Sequence, residues 1–271
     1  MTSTYFNVTN GVRQGSILSP KLFALYIDEL SVNLPDCNHG CFVNNACINH
    51  VFYADDLCLI APSATGLQKL LDVCTAYGTQ CNILFNPVKT LCMVFKPKRC
   101  KLTCPSVKLD DTPLSYVSST KYLGCLLNDN LSDDEDMMRQ MRLLYVRANI
   151  LLRDFSQCSL AVKVRLFKCY CLVFYCPALW SDFKMYSFDK MRVAFNNVHR
   201  KLLGYERRDS ASQMFVFNDL CNIESLLRKC IHSFMQRLHS SKNVLIRALF
   251  TCFCVRNGAM YRKWVNLLHN I

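Results

Sequence analysis

The stretch Phe52-Tyr53-Ala54-Asp55-Asp56-Leu57 constrains this chain most. Two adjacent carboxylates stand between short apolar runs, His50-Val51-Phe52-Tyr53 before them and Leu57-Cys58-Leu59-Ile60 after them. β-Branched, aromatic and aliphatic residues on both sides of a polar break predict the two strands of a hairpin, with Asp55 and Asp56 at its turn. Carboxylates on a rigid tip are hard oxygen ligands suited to a divalent cation. Such a cation can activate an attacking oxygen and stabilise a departing phosphate. An Asp-Asp turn without chemistry is the alternative, and the apolar setting of the Tyr-Ala-Asp-Asp string favours the site.

Tyr53-Ala54-Asp55-Asp56 resembles the signature of reverse transcriptases, most closely those of non-LTR, LINE-type retrotransposons. The earlier Gly11-Val12-Arg13-Gln14-Gly15-Ser16-Ile17-Leu18-Ser19-Pro20 resembles the template- and nucleotide-positioning motif of the same family. The two motifs come in the family's order. The resemblance runs from Gly11 to about Leu127 and continues, less specifically, into the helical remainder.

The resemblance implies an α+β fold. A partial polymerase palm, an antiparallel sheet with packed helices, would occupy residues 1–130. An all-α thumb would follow over 137–208, and a C-terminal helical extension over 209–271. It also implies an RNA-directed DNA polymerase, a nucleotidyltransferase that extends the 3′-hydroxyl of a DNA primer with deoxynucleoside triphosphates on an RNA template. Asp55 and Asp56 would be catalytic and hold magnesium, with manganese as the alternative ion. Arg13, Gln14 and Gly15 would lie beside nucleotide and template. Lys89 matches the lysine of an Asn-x-x-Lys-Thr string, here Asn86 to Thr90. In the family this lysine lies near the nucleotide phosphates and is implied to protonate the leaving pyrophosphate, where charge compensation is useful. A strand-edge lysine without a role is the alternative. Tyr122, Leu123 and Gly124 resemble the hairpin that grips the primer.

The family's palm needs one more aspartate on an earlier strand. The first acidic residue here is Asp28, on the helix opened by Ser19-Pro20. The fingers and an endonuclease region also have no counterpart. The expectation is therefore a later palm and thumb that needs an upstream reverse transcriptase segment for activity. A nucleic-acid-binding remnant without catalysis and a non-functional fragment are the other readings.

Charge separates the two halves. Residues 1–136 carry a net −3, residues 137–208 a net +10, and residues 209–271 a net +5. A polyanion partner for the second half, such as an RNA–DNA hybrid, is the natural inference; a solvated basic face is the alternative. No apolar run reaches membrane-spanning length, since Cys169 to Trp180 is short and holds Pro177. The first residues carry no secretory pattern, so the expectation is an intracellular protein, nuclear or cytoplasmic. The eighteen cysteines then read as reduced core residues. None forms a paired Cys-x-x-Cys set that would indicate zinc.

Helical spacing predicts a helix after Ser19 burying Leu22, Phe23, Tyr26, Ile27 and Leu30, and another after Ser63 ending near Gly78. Leu114 to Leu127 reads as two short strands. Asp129 to Asp136 reads as a polar domain boundary. Helices are predicted over about 137–155, from about Ser159, over 188–203, and over 225–239 among others.

Overall fold

The structure, a computed structural model, describes residues 15–34, 39–43, 46–96, 104–252, 258, 261–262 and 264–266. The chain divides into two compact units, Met1–Cys92 with Lys101–Tyr116, and Met93–Cys100 with Val117–Ile271. It mixes helices with small, mostly antiparallel sheets.

In the first unit, α1 (Ser19–Asn33) is followed by the paired strands β1 (Cys41–Val43) and β2 (Ala46–Ile48). The hairpin of β3 (His50–Tyr53) and β4 (Asp56–Leu59) comes next, then α2 (Ala64–Cys81). β5 (Leu91–Cys92) pairs in parallel with β8 (Ser115–Tyr116), and β6 (Lys108–Leu109) pairs with β7 (Thr112–Pro113). Ser63 caps α2 as expected, its hydroxyl accepting the Gly66 N–H at 3.1 Å. Gly78 does not end the helix. Asn82, with φ of 53°, does, and Gly78 lies inside because a Cβ there would stand 2.6 Å from the Ile83 carbonyl.

Ile27, Leu30 and Leu34 pack against Leu70, Cys74 and Tyr77 to form one core of this unit. Leu71, Cys92, Val107, Leu109 and Leu114 form another. The stripe on α1 is narrower than expected. Ile27 and Leu30 are buried and Phe23 half-buried, while Leu22 and Tyr26 are exposed. The face of α1 turned to α2 and to the strands that follow it is covered, and the rest of the helix is not. Ser19 lies within the first turn rather than at the cap, which is Leu18.

The second unit begins with a hairpin of β9 (Ser119–Tyr122) and β10 (Cys125–Asn128). Residues 114–127 thus hold parts of three short strands rather than two. α3 (Asp134–Asp154), α4 (Leu160–Tyr170) and α5 (Met185–Leu203) pack together, and α6 (Ala211–Phe217), α7 (Ile223–His239) and α8 (Val244–Thr251) follow. α3 starts earlier than its apolar pattern indicates. Asp134, Glu135 and Asp136 occupy its first turn, where carboxylates offset the positive end of the helix dipole. The acidic stretch is tied down within this unit: the Asp133 carboxylate accepts the Ser181 and Asp182 N–H groups at 2.6 and 2.8 Å. No described helix is long and apolar enough to cross a membrane.

The aromatic centre of this unit holds His199, fully buried against Phe167, Tyr205 and Phe215 with ring centroids 4.6–5.7 Å away. Among the described residues neither ring nitrogen has a hydrogen-bond partner. Burial, with the neighbouring Arg200 charge second, lowers its pKa from 6.5 to about 4. The unfolded chain therefore binds the proton first, so stability is full above pH 6.5 and falls as pH drops towards 4. The loss attributable to His199 should be about 2 kcal/mol by pH 5. Both tryptophans, Trp180 and Trp264, are buried in this unit, so urea titrations followed by their fluorescence read it directly. His199→Leu should show a shallower decline between pH 7 and 5 than wild type; parallel declines would show that the buried ring does not govern acid sensitivity.

Candidate active site

The β3–β4 hairpin is built from the chain upward. Phe52 and Leu57 lie opposite each other across it and pack on the core of α1 and α2. A polar clasp fixes its base. Buried Asn49 donates its Nδ2 to the Leu34 carbonyl at 2.7 Å, and its Oδ1 lies 2.7 Å from His50 Nδ1. His50 Nε2 lies 2.8 Å from the Ser31 hydroxyl. An amide oxygen only accepts, so Nδ1 carries the hydrogen and Nε2 accepts from Ser31 in the neutral ring. Burial lowers the His50 pKa and favours this neutral form. The hairpin is thereby held to α1 at its base and to both helices along its length.

Tyr53 pairs with Asp56, leaving Ala54 and Asp55 as the two turn residues. The turn is one residue earlier than expected. Asp55 is on it and Asp56 opens β4, because the strand pairing extends to the carboxylate beside Leu57. Ala54 takes a φ of 54°, a conformation that costs a residue with a Cβ about 1 kcal/mol. Both carboxylates are exposed to solvent. As adjacent hard donors they fit a divalent cation in chemistry, as part of a coordination shell. Among the described residues no group of three or more His, Cys, Asp and Glu stands together in a metal-binding cluster.

Gly15 belongs to the same unit and lies in a turn before α1, with φ of 78° and open space where a Cβ would point. Arg13 and Gln14 lie outside the described residues. Lys89 sits on an exposed turn organised by Asn86, whose Oδ1 accepts the Val88 and Lys89 N–H groups at 3.0 and 3.2 Å. The preceding Ile83 and Phe85 are anchored in the α1–α2 core, so this turn also rises from the body that holds the hairpin.

Tyr122, Leu123 and Gly124 lie in the second unit, at the turn of β9–β10. Leu123 and Gly124 both have positive φ, 44° and 85°, the pattern of a tight hairpin turn. A Cβ at Gly124 would meet the Tyr175 ring at 2.6 Å, so position 124 requires glycine for space as well as for conformation.

One residue group went unrecognised in the sequence. The Asp136 carboxylate, nearly excluded from solvent, accepts Arg139 Nε at 2.9 Å and Leu126 N–H at 3.2 Å on one oxygen, and Trp180 Nε1 at 2.9 Å on the other. Arg139 Nη2 in turn donates to the Gly124 carbonyl at 2.8 Å. These bonds position the hairpin turn on α3. The Asp-x-x-Arg spacing across the first helical turn is the only local sign of it.

Residues 2–127 match the family described as "Reverse transcriptase (RNA-dependent DNA polymerase)". The chain is similar to the RNA-directed DNA polymerase from mobile element jockey of Drosophila funebris, 26% identical over 254 residues, which is 88% of this chain and 27% of that protein. It is similar to the probable RNA-directed DNA polymerase from transposon X-element of Drosophila melanogaster, 29% identical over 61% of this chain and 18% of that protein. A shorter stretch of 71 residues, 26% of this chain and 7% of the relative, is 46% identical to the Pol polyprotein of retrotransposable element R2DM of Drosophila melanogaster. The chain spans about a quarter of the length of the jockey relative it matches.

Proposed function

From the chain's kinship with LINE-type reverse transcriptases, we propose that it is the later palm and the thumb of an RNA-directed DNA polymerase, acting within a longer protein. The first unit is the palm portion and the helices after β10 are the thumb and its extension. The observation that carries this reading is the Tyr-Ala-Asp-Asp string at the tip of a hairpin clamped to two helices, inside the region matched by the family. Asp55 and Asp56 would hold magnesium, which when bound offsets charge on the phosphates and activates the primer hydroxyl. Gln14 and Gly15, with Arg13, position nucleotide and template. Lys89 offers its ammonium to the pyrophosphate. Tyr122, Leu123 and Gly124 support the primer end, and the Asp136–Arg139 pair holds that turn in place.

The template, primer and product are an RNA–DNA hybrid in this reading, held by phosphate contacts that carry no sequence choice. Arg142, Arg165 and Lys201, on α3, α4 and α5, are exposed and make no ion pair among the described residues. Lys163 and Lys201 also line an open pocket of about 340 Å³ with Leu151, Leu202 and Phe155. Titrating the full chain with a labelled RNA–DNA hybrid at rising salt should give a steep loss of affinity through counterion release. Arg165→Glu should reduce the slope of log affinity against log salt by about 1. A flat salt response, or no binding at low salt, would overturn the thumb assignment.

A further inference from the structure

Cys125 opens β10, directly after the Leu123–Gly124 turn. Cys176 stands between α4 and the short 3-10 turn at Pro177–Leu179, in the left-handed conformation with φ of 48°. Their chain neighbours are in contact. Gly124 faces the Tyr175 ring so closely that no Cβ fits between them. Gln140 of α3 bridges to Tyr175, its Nε2 donating to the Tyr175 carbonyl and its Oε1 accepting the Tyr175 N–H, each at 3.5 Å. Arg139, one residue earlier, donates to the Gly124 carbonyl. Between these ties Cys125 and Cys176, each the next residue along from the Gly124–Tyr175 contact, are electrostatic neighbours. Both are free thiols; Cys176 is exposed and Cys125 half-buried.

We propose that Cys125 and Cys176 form a redox-active dithiol that closes to a disulfide in the presence of a low-molecular-weight disulfide, stapling the β9–β10 hairpin to the helical core. The exposed Cys176, as thiolate, attacks one sulfur of the oxidant. The oxidant's S–S bond breaks and one small thiol leaves, taking a proton. Cys125 then attacks the Cys176 sulfur of the mixed disulfide, the second small thiol leaves, and it too takes a proton. Two cysteine S–H bonds are lost and one S–S bond is gained, while the oxidant is reduced to two thiols. Burial, with the Cys176 neighbour second, pushes the Cys125 thiol up to about 12, so Cys176 is the point of entry and Cys125 the slower, resolving thiol. Cys171, a few residues before Cys176, is buried within the helical core and lacks this access.

The test uses the full chain treated with oxidised glutathione at neutral pH, then alkylated and digested with trypsin without reduction. The expected product is the peptide Tyr122–Arg139 joined to Cys169–Lys184, with fragmentation assigning the bond to Cys125 and Cys176, and a matching loss of two titratable thiols. Cys125→Ser should leave glutathione standing on Cys176, and Cys176→Ser should abolish the joined peptide. Wild-type protein alone decides the matter if a variant fails to fold. Absence of the joined peptide, a bond to Cys169 or Cys171 instead, or a yield no higher than from urea-denatured chain would overturn the proposal.

Discussion

Replacing Asp136 with alanine is expected to destabilise the second unit by about 3–5 kcal/mol, the cost of removing one partner from a buried, hydrogen-bonded ion pair. The substitution leaves three donors facing a cavity: the Arg139 guanidinium, the Leu126 N–H and the Trp180 indole N–H. Arg139 is itself mostly covered, with 24% of its side chain exposed, so water does little to recover its charge. Asp136→Asn keeps the shape but not the chemistry. Each carboxylate oxygen accepts a donor, so either orientation of the amide turns an NH₂ towards an N–H, and about 1–3 kcal/mol is expected to be lost. Urea titration followed by tryptophan fluorescence measures both, because both tryptophans report this unit. At typical slopes the alanine midpoint should fall by more than about 1 M. A change below 1 kcal/mol in both variants would mean that the hairpin turn is held by its apolar contacts alone.

Asp136 also marks where the sequence stops being legible. The hairpin at Asp55-Asp56 was readable because the apolar alternation is local, and a two-residue turn between paired strands needs no distant partner. The α2 start at Ser63 was readable for the same reason. What was hidden depends on partners far along the chain. Asp136 lies in an acidic run that looks like a solvated boundary, and only Trp180 and Leu126, brought in by folding, turn it into a buried acceptor. Gly78 looks like a helix stop, yet the returning chain at Ile83 is what requires glycine there. Leu22 and Tyr26 fit the apolar stripe of α1, but periodicity tells only that a face is apolar and not how much of it a neighbour covers. The roles assigned to Asp55, Asp56, Gly15 and Lys89 rest on motif likeness. The fold contributes a shared body that anchors the hairpin and the Lys89 turn.

Primer extension is expected to depend on a carboxylate beyond Asp55 and Asp56. Magnesium takes six near-octahedral oxygen ligands, and in the proposed two-metal reaction Asp55 and Asp56 would need a further carboxylate to set the ions relative to each other. Water can fill coordination sites but cannot set that spacing, and positioning is most of phosphoryl-transfer catalysis. No third ligand joins Asp55 and Asp56 in a cluster among the described residues. Residues 1–271 alone, given magnesium, an RNA template, a DNA primer and all four deoxynucleotides, should therefore not extend the primer. The same residues joined to the upstream reverse transcriptase segment of a related element should extend it. In that joined protein Asp55→Asn is expected to lower the rate by at least about 10²–10³-fold, the scale on which losing one preorganised electrostatic group is felt. Asp55 is exposed on a hairpin whose packing comes from Phe52 and Leu57, so unchanged circular dichroism should accompany the loss. Extension by residues 1–271 alone that is lost in Asp55→Asn would mean that another residue of this chain supplies the missing carboxylate. Extension by the joined protein that survives Asp55→Asn would remove Asp55 from the catalytic centre, whatever its string resembles.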